Sequence, residues 1–539
     1  MKQLYILLVF CLSYSCYSQE PFVTTWDVGF PNFWSYEIYI NTVDDLEYNY
    51  TIDFGDGSVQ TNVTGDVSHT YDTAGIHIVT ITGQFPAIRF QGNGAPEDSE
   101  LKIKSIEQWG DIEWQTMAYA FNGCDNLVLN AVDAPNLSQV TDMSYMFHGA
   151  DKINGPVNHW DVSNVINMEA LFYAAHDFNN PLDQWDVSNV TNMVLMLGYC
   201  DFDQPINNWD VSNVTDMRSM FGNNIHFNQP LNDWDVSNVT DMTAMFLNAE
   251  SFNQPLDNWD VSSVTTMYFM FSGALAFDQP IDTWDVSSVT DMEAMLSNTE
   301  SFNQPLNSWN VSNVTTMSSM FSESLAFNQS LANWDTGNVT AMEYMFYNAE
   351  SFNQPISYWN ISNVTAMSSM FFYASSFNQS LENWDFSPAV EIDGLLHWAG
   401  LDVENYDALL ARFQELGYED KSLGANTLLY CNTEAHDYLV NILDWSISGD
   451  MVSEDCNLNT NQPSFSDELV IYPVPADKEL FIEASSPIQV IEIFDISGKK
   501  IYFTVNENGH TDISTLAAGN YFLKIYSKDE SVIKRFIKK

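Results

Sequence analysis

Basic residues are scarce in this 539-residue chain: 17 Lys and Arg stand against 72 Asp and Glu, a formal net charge of −55. Between Lys152 and Arg412 the only basic residue is Arg218. Nucleic acid and anionic membrane need Lys and Arg to displace counterions, so neither is expected as a partner. Cysteine is also rare, with six in all. Leu4 to Leu12 is too short to span a bilayer, and no later apolar run is longer, so no transmembrane segment is expected. Histidines number nine and are scattered without metal-ligand spacing, and no Gly-rich phosphate loop or Ser-His-Asp set stands out. The expectation is a protein that is not an enzyme, with no catalytic residues and no cofactor.

High charge alone would suggest disorder. Aromatic content of 14% and strictly periodic apolar residues argue for a packed fold instead. Lys2, the apolar stretch and the serines ahead of Gln19 read as a signal peptide over 1–19. Cys16 raises a lipoprotein alternative, against which Ser13-Tyr14-Ser15 makes a poor lipobox. Cys124, Cys200, Cys431 and Cys456 remain after cleavage, and export permits disulfides.

Tryptophans fall at 160, 185, 209, 234, 259, 284, 309, 334, 359 and 384, in steps of 25 with one of 24. A WD-repeat propeller would need a period of about 40–45 residues, so a solenoid is expected over 99–400. In the unit starting at Trp234, Trp234 and Val236 alternate as in a strand, and Ser237 or Asn238 offers a helix cap. Val239, Met242, Met245, Phe246 and Ala249 follow at helical spacing. Each coil is thus read as strand, turn, short helix, turn. Asn253 and Gln254 recur nearly unchanged, and their amides are expected to bond backbone groups at the turns. Cys124 and Cys200 lie three coils apart, roughly 14 Å at strand spacing, beyond the reach of about 7 Å that a disulfide allows. Both are expected to be free and buried.

Leu256-x-x-Trp259-x-Val261-x-x-Val264 resembles the leucine-rich-repeat phrase, and Val-Thr-x-Met-x-x-Met-Phe-x-x-Ala resembles more closely the BspA-like leucine-rich repeat surface proteins common in Bacteroidota. Upstream, Asp53-Phe-Gly-Asp-Gly-Ser58 with His69, Tyr71 and Gly75 resembles a PKD domain over 20–98, with Ile52 where that family often has Trp. Such a domain implies a spacer or adhesion module. Its Asp53 and Asp56 fit a turn better than a metal site. Downstream, Tyr406, Leu409, Leu410, Phe413 and Leu416 share a helical face, and a second helix is expected around Glu434 to Leu443. A helical cap over 401–460 with a Cys431–Cys456 disulfide is expected to close the array, followed by a linker over 461–467. From 468 to 539, Tyr472-Pro-x-Pro475, Ser497-Gly498 and Gly519-x-Tyr521 resemble the C-terminal sorting domain of type IX secretion. That implies recognition by the secretion machinery, removal of the domain, and a secreted or outer-membrane-attached cell-surface product. The fold class expected is therefore multidomain: a leucine-rich-repeat-like α/β solenoid with a helical C-terminal cap, flanked by two all-β sandwiches.

The feature with functional shape is an acidic column. Asp161, Asp186, Asp210, Asp235, Asp260, Asp285, Asp335 and Asp385 follow successive Trp residues, with Asn310 and Asn360 replacing Asp twice. The residue after a buried strand residue points outward, so stacking would align these carboxylates and they would repel. Each Asp then caps local backbone donors, or calcium sits between them (Asp235, Asp260 and Asp285 being the cation candidates), or a partner binds there. The leading functional expectation is an adhesin for an extracellular protein. Glycan capture, with Tyr268, Tyr344 and Tyr358 as stacking candidates, and a structural cell-surface layer are the alternatives.

Overall fold

The computed structural model describes residues 19–29, 35–90, 99–458, 469–472, 474–483, 488–495, 499–505, 510–526 and 531–539. The signal-peptide stretch up to residue 18, the linker over 461–467 and the Ser497-Gly498 phrase lie outside them. The chain divides into two compact units, one ending at Val452 and one running from Ser453 to Lys539.

The first unit begins with β1 (Phe22–Asp27), β2 (Glu37–Ile40), β3 (Asn49–Asp53), β4 (Val59–Val63), β5 (Val67–Thr70) and β6 (Ile76–Gln84). A one-turn helix, α1 (Ser99–Lys102), leads into β7 (Ile103–Gln108), and β8 (Val128–Leu129) follows. Six of these strands form one sheet in the order β4-β3-β6-β1-β7-β8, and β2 pairs with β5. The Asp53–Ser58 turn joins β3 to β4: Asp53 accepts from the Gly55 amide at 2.9 Å, and Asp56 accepts from the Ser58 amide at 2.8 Å. The N-terminal sandwich expected over 20–98 is corrected in its boundary, since its sheet continues past residue 98. Strand β7 pairs with β1 and carries the sheet into the repeat region, and one hydrophobic core runs from Phe22 to Trp445.

Between β8 and the next helix, residues 130–402 hold no α-helix and no strand beyond single-residue bridges. The leucine-rich-repeat-like α/β solenoid with a helix in every coil is therefore not the fold. In the unit starting at Trp234, the amides of Met245, Leu247 and Ala249 donate to carbonyls three residues back. The intervening amides of Met242, Ala244, Phe246 and Asn248 donate instead to Thr266, Tyr268, Met270 and Ser272 of the next repeat. An α-helix needs every amide bonded four residues back along its own chain; here alternate amides leave the unit altogether. Two residues per repeat also take a left-handed conformation, Ala244 at φ 54° and Asn248 at φ 52°, which no right-handed helix tolerates. Successive turns and cross-repeat bonds replace the helix.

Stacking nevertheless buries the predicted apolar residues. Trp259 is 3% exposed and lies parallel to Trp234 and Trp284, with ring centroids 6.5 and 6.4 Å apart. From Trp185 to Trp384 each indole also carries a polar link, as Trp259 Nε1 donates to Leu231 O at 2.9 Å and Trp284 Nε1 to Leu256 O at 2.9 Å. Phe246 and Phe271 continue a second ring column at 5.4 Å. Cys124 and Cys200 are buried and free within this core, and burial pushes the Cys200 thiol up to about 12.

After the repeats come α2 (Val403–Leu416), β9 (Ser422–Gly424), β10 (Leu429–Tyr430), α3 (Thr433–Ile442), β11 (Ser446–Ser448) and β12 (Met451–Val452). The expected helical cap is corrected to a mixed segment, because β9 pairs in parallel with β11, and β10 with β12. The Asp402 carboxylate accepts from the Asn405 amide at 2.9 Å to start α2, and Gly417 at φ 67° ends it. Tyr406, Leu409, Leu410 and Phe413 face the core. Cys431 and Cys456 are disulfide-bonded.

The second unit opens with a 3-10 turn at Glu454–Leu458. It continues with β13 (Val470–Tyr472), β14 (Glu479–Glu483), β15 (Val490–Phe494), β16 (Lys500–Val505), β17 (His510–Asp512), β18 (Gly519–Tyr526) and β19 (Ser531–Lys538). Three strands make one sheet, β13-β14-β17, and four make the other, β16-β15-β18-β19. Leu480, Ile482, Ile491, Ile493, Leu523, Ile525 and Phe536 form its core.

Candidate functional site

The repeat presents its side chains in columns, so the candidate site is built one column at a time. The residue after each Trp is exposed along the whole array, from Asp161 to Asp385. Most carboxylates of this column cap the turn two residues on. Asp235 Oδ1 accepts from the Ser237 amide at 3.1 Å and from its hydroxyl at 2.6 Å. Asp161, Asp186 and Asp210 make the same pair of bonds to Ser163, Ser188 and Ser212. Asp260 and Asp285 accept from the Ser262 and Ser287 amides, and Asp335 from Gly337 N. The serine donors hold the Asp161, Asp210, Asp260 and Asp285 carboxyls below the ordinary range. Asp385 differs, lying 3.4 Å from Arg412.

Asn310 and Asn360 decide what the fold requires here. Asn310 Oδ1 accepts from Ser312 N at 3.2 Å, and Asn360 Oδ1 accepts from both Ser362 N and Oγ. A neutral amide oxygen does the capping as a carboxylate does, so the negative charge of the column is surplus to the turn. Among the described residues no three His, Cys, Asp or Glu side chains gather to hold a metal ion. The three cation candidates Asp235, Asp260 and Asp285 each commit one oxygen to their serine.

A second acceptor column was missed from the sequence. Asp142, Asn167, Asn192, Asp216, Asp241, Thr266, Asp291 and Thr316 form a continuous run of parallel bridges. Their side chains also cap two residues ahead, as when Asp241 accepts from the Thr243 amide at 2.9 Å and Asp291 from the Glu293 amide at 2.9 Å. The signal was present: Asp, Asn or Thr stands immediately before the first Met of these repeats. Arg218 shows what this face does to a cation. Its guanidinium grips both Asp216 oxygens, Nε at 2.9 and 3.0 Å, and lies 3.8 Å from Asp241 of the next repeat. Farther along, burial and then Asp291 and Glu343 raise the Glu293 carboxyl, because these acids face one another with no basic neighbour.

The turn amides form a third column. Asn253 Oδ1 accepts from the Asp278 amide at 3.0 Å and from Gln279 Nε2 at 2.8 Å, and Asn228 does the same for Asn253 and Gln254. These side chains are therefore engaged in joining repeats. Beyond the array, the Tyr406 hydroxyl donates to Asp450 Oδ2 at 2.7 Å, and His436 Nε2 lies 3.4 Å from the same oxygen. Burial and the Asp450 charge raise the Tyr406 hydroxyl, which ties α2 to the turn before β12. Of the tyrosine candidates, Tyr358 is 82% exposed, while Tyr268 and Tyr344 are exposed in part.

Residues 96–201, 198–309 and 297–403 match a family described as Mycoplasma protein of unknown function, DUF285. The chain belongs to this family. The matches span more than half of the sequence and cover the repeat columns just described, in agreement with the BspA-like resemblance. Residues 470–539 match the secretion system C-terminal sorting domain, which occupies the strands from β13 onward. No curated protein matches the chain. The sorting domain makes this DUF285 member a type IX secretion cargo, secreted or attached at the outer-membrane surface. Among the described residues no helix is long and apolar enough to cross a membrane.

Proposed function

We propose that this protein is a non-enzymatic adhesin whose repeat array presents its acidic columns to a basic extracellular protein. The observation that carries the reading is the work done by Asn310 and Asn360: the turn needs an acceptor, yet most repeats supply a charged one. Like charges held in register repel and a neutral acceptor suffices for the turn, so the charge favours a use outside the fold. Complementary charge would steer a basic partner and set its register. The strands ahead of the repeats are read as a PKD-like spacer, supported by the Asp53–Ser58 turn and by the Tyr71 hydroxyl donating to Phe54 O at 2.9 Å. A second reading, glycan capture, is favoured by the open ring of Tyr358.

The test is a screen of the full chain against extracellular proteins and a glycan array, repeated across a salt series. The reading expects basic proteins to be captured and released as salt rises, since screening weakens exposed pairs. Capture of uncharged glycans alone, indifferent to salt, would overturn it.

A further inference from the structure

The two left-handed positions of each repeat do not all hold residues suited to them. The second is filled most often by Asn or Gly, at Asn223, Asn248, Gly273, Asn298 and Asn348, residue types that tolerate this conformation, and also by Ala174 and Glu323. Tyr199 at φ 52°, Tyr373 at φ 58° and Trp398 at φ 57° occupy the same position with large rings. The first position holds Ala or Ser at Ala244, Ala294, Ser319 and Ser369, and a larger side chain at Tyr119, Tyr145, Leu195, Phe269 and Tyr344, the last at φ 56°. The backbone forms equally well without these rings, so where several of them meet on the surface a use outside the fold is favoured.

The rings gather on one surface. Tyr344 lies 5.9 Å from Tyr347, which stacks on Phe372 at 5.2 Å. Phe372 meets Tyr373 at 4.9 Å and Trp398 at 5.1 Å, and Tyr373 stacks on Trp398 at 4.6 Å. Tyr344 and Tyr373 keep 45% and 43% of their surface open.

The first repeat shows how such a ring is covered. Tyr119, at φ 60°, donates its amide to Ser144 O as Tyr344 donates to Ser368 O, so the two hold equivalent positions. The Arg89 guanidinium lies 5.0 Å above the Tyr119 ring. At the other end of the array, Arg412 is held by Trp384 O and Glu415, and Lys421 by Pro388 O and Val390 O. Glu343 precedes Tyr344 in the chain, and Asp393 lies in the repeat of Trp398. Aromatic faces attract cations, guanidinium above all, and a strongly acidic surround selects against anions.

We propose that the platform of Tyr344, Tyr347, Phe372, Tyr373 and Trp398 binds arginine side chains of the extracellular partner. This rests on the adhesin reading and locates its anchor. The full chain would be titrated with an arginine-rich peptide, a lysine-rich peptide of equal charge and a neutral oligosaccharide. Variants take residues the array already uses: Tyr344→Ala and Tyr373→Asn, alone and together. The expected result is tighter binding of the arginine peptide than the lysine peptide, weakened about tenfold or more by the double variant as two ring contacts are lost. Unchanged melting of that variant would show the fold intact. Equal binding by parent and double variant overturns the platform and leaves the adhesin reading standing. Failure of both peptides to bind overturns both. Loss of oligosaccharide binding alone in the variants assigns the platform to sugar and overturns the proposal.

Discussion

Replacing Trp259 should cost more than any surface change in the array. Its side chain is 3% exposed, so nearly the whole indole is removed from water. An aromatic of this size buries about 150–250 Å²; at about 25 cal/mol per Å² that is worth about 4–6 kcal/mol as an upper bound. Trp259→Ala should therefore destabilise by about 3–5 kcal/mol, in the range seen for large aromatic truncations. Trp259→Phe keeps most of the ring but deletes the N–H that reaches Leu231 O at 2.9 Å, and should cost about 1–2 kcal/mol. Each repeat touches mainly its two neighbours, so the loss falls on the contacts with Trp234 and Trp284. Urea unfolding of the full chain, followed by circular dichroism, reads both values. If Trp259→Ala stayed within about 1 kcal/mol of the parent, the shared interior would be refuted.

Three further outcomes follow from the same geometry. Converting both Cys431 and Cys456 to Ser should lower stability by about 2–4 kcal/mol in scanning calorimetry, because both are disulfide-bonded. Cys200, with its thiol pushed up to about 12 by burial, should resist a thiol-specific reagent at pH 8 in the native state and react once urea unfolds the chain; fast native labelling would contradict its burial. The serine-capped Asp161, Asp210, Asp260 and Asp285 have lowered carboxyl values. Their contribution is present above the unfolded value of about 3.9 and is lost as pH falls through the lower folded value. Replacing all four with Asn should flatten the acid limb of a melting-temperature profile, and an unchanged limb would show that the caps do not contribute.

The period and the burial of the tryptophans were legible because they rest on residue spacing alone. The helix was misread for a physical reason. Val239, Met242, Met245, Phe246 and Ala249 repeat at three and four residues, and a chain of turns bonded three residues back also turns those side chains inward. Hydrophobic spacing reports which residues face the core, not which amide bonds which carbonyl. The contrary signal was the recurrence of Asn or Gly at Asn223, Asn248, Gly273 and Asn298, residue types tolerant of left-handed backbone. The outward direction of the Asp column was legible from its place beside Trp. The capping bonds, and the second column through Asp241 and Asp291, were not, because they depend on turns that the helical reading had removed.

The most direct test of surplus charge is the triple change Asp235→Asn, Asp260→Asn and Asp285→Asn, measured for melting temperature and for affinity toward a captured basic partner. The account predicts melting lowered only slightly at neutral pH, since Asn310 and Asn360 already cap their turns and only the added strength of a charged cap at Asp260 and Asp285 is lost, with affinity falling about tenfold or more as three exposed charges are removed. A collapse in melting temperature, or a partner bound as tightly as before, would contradict it.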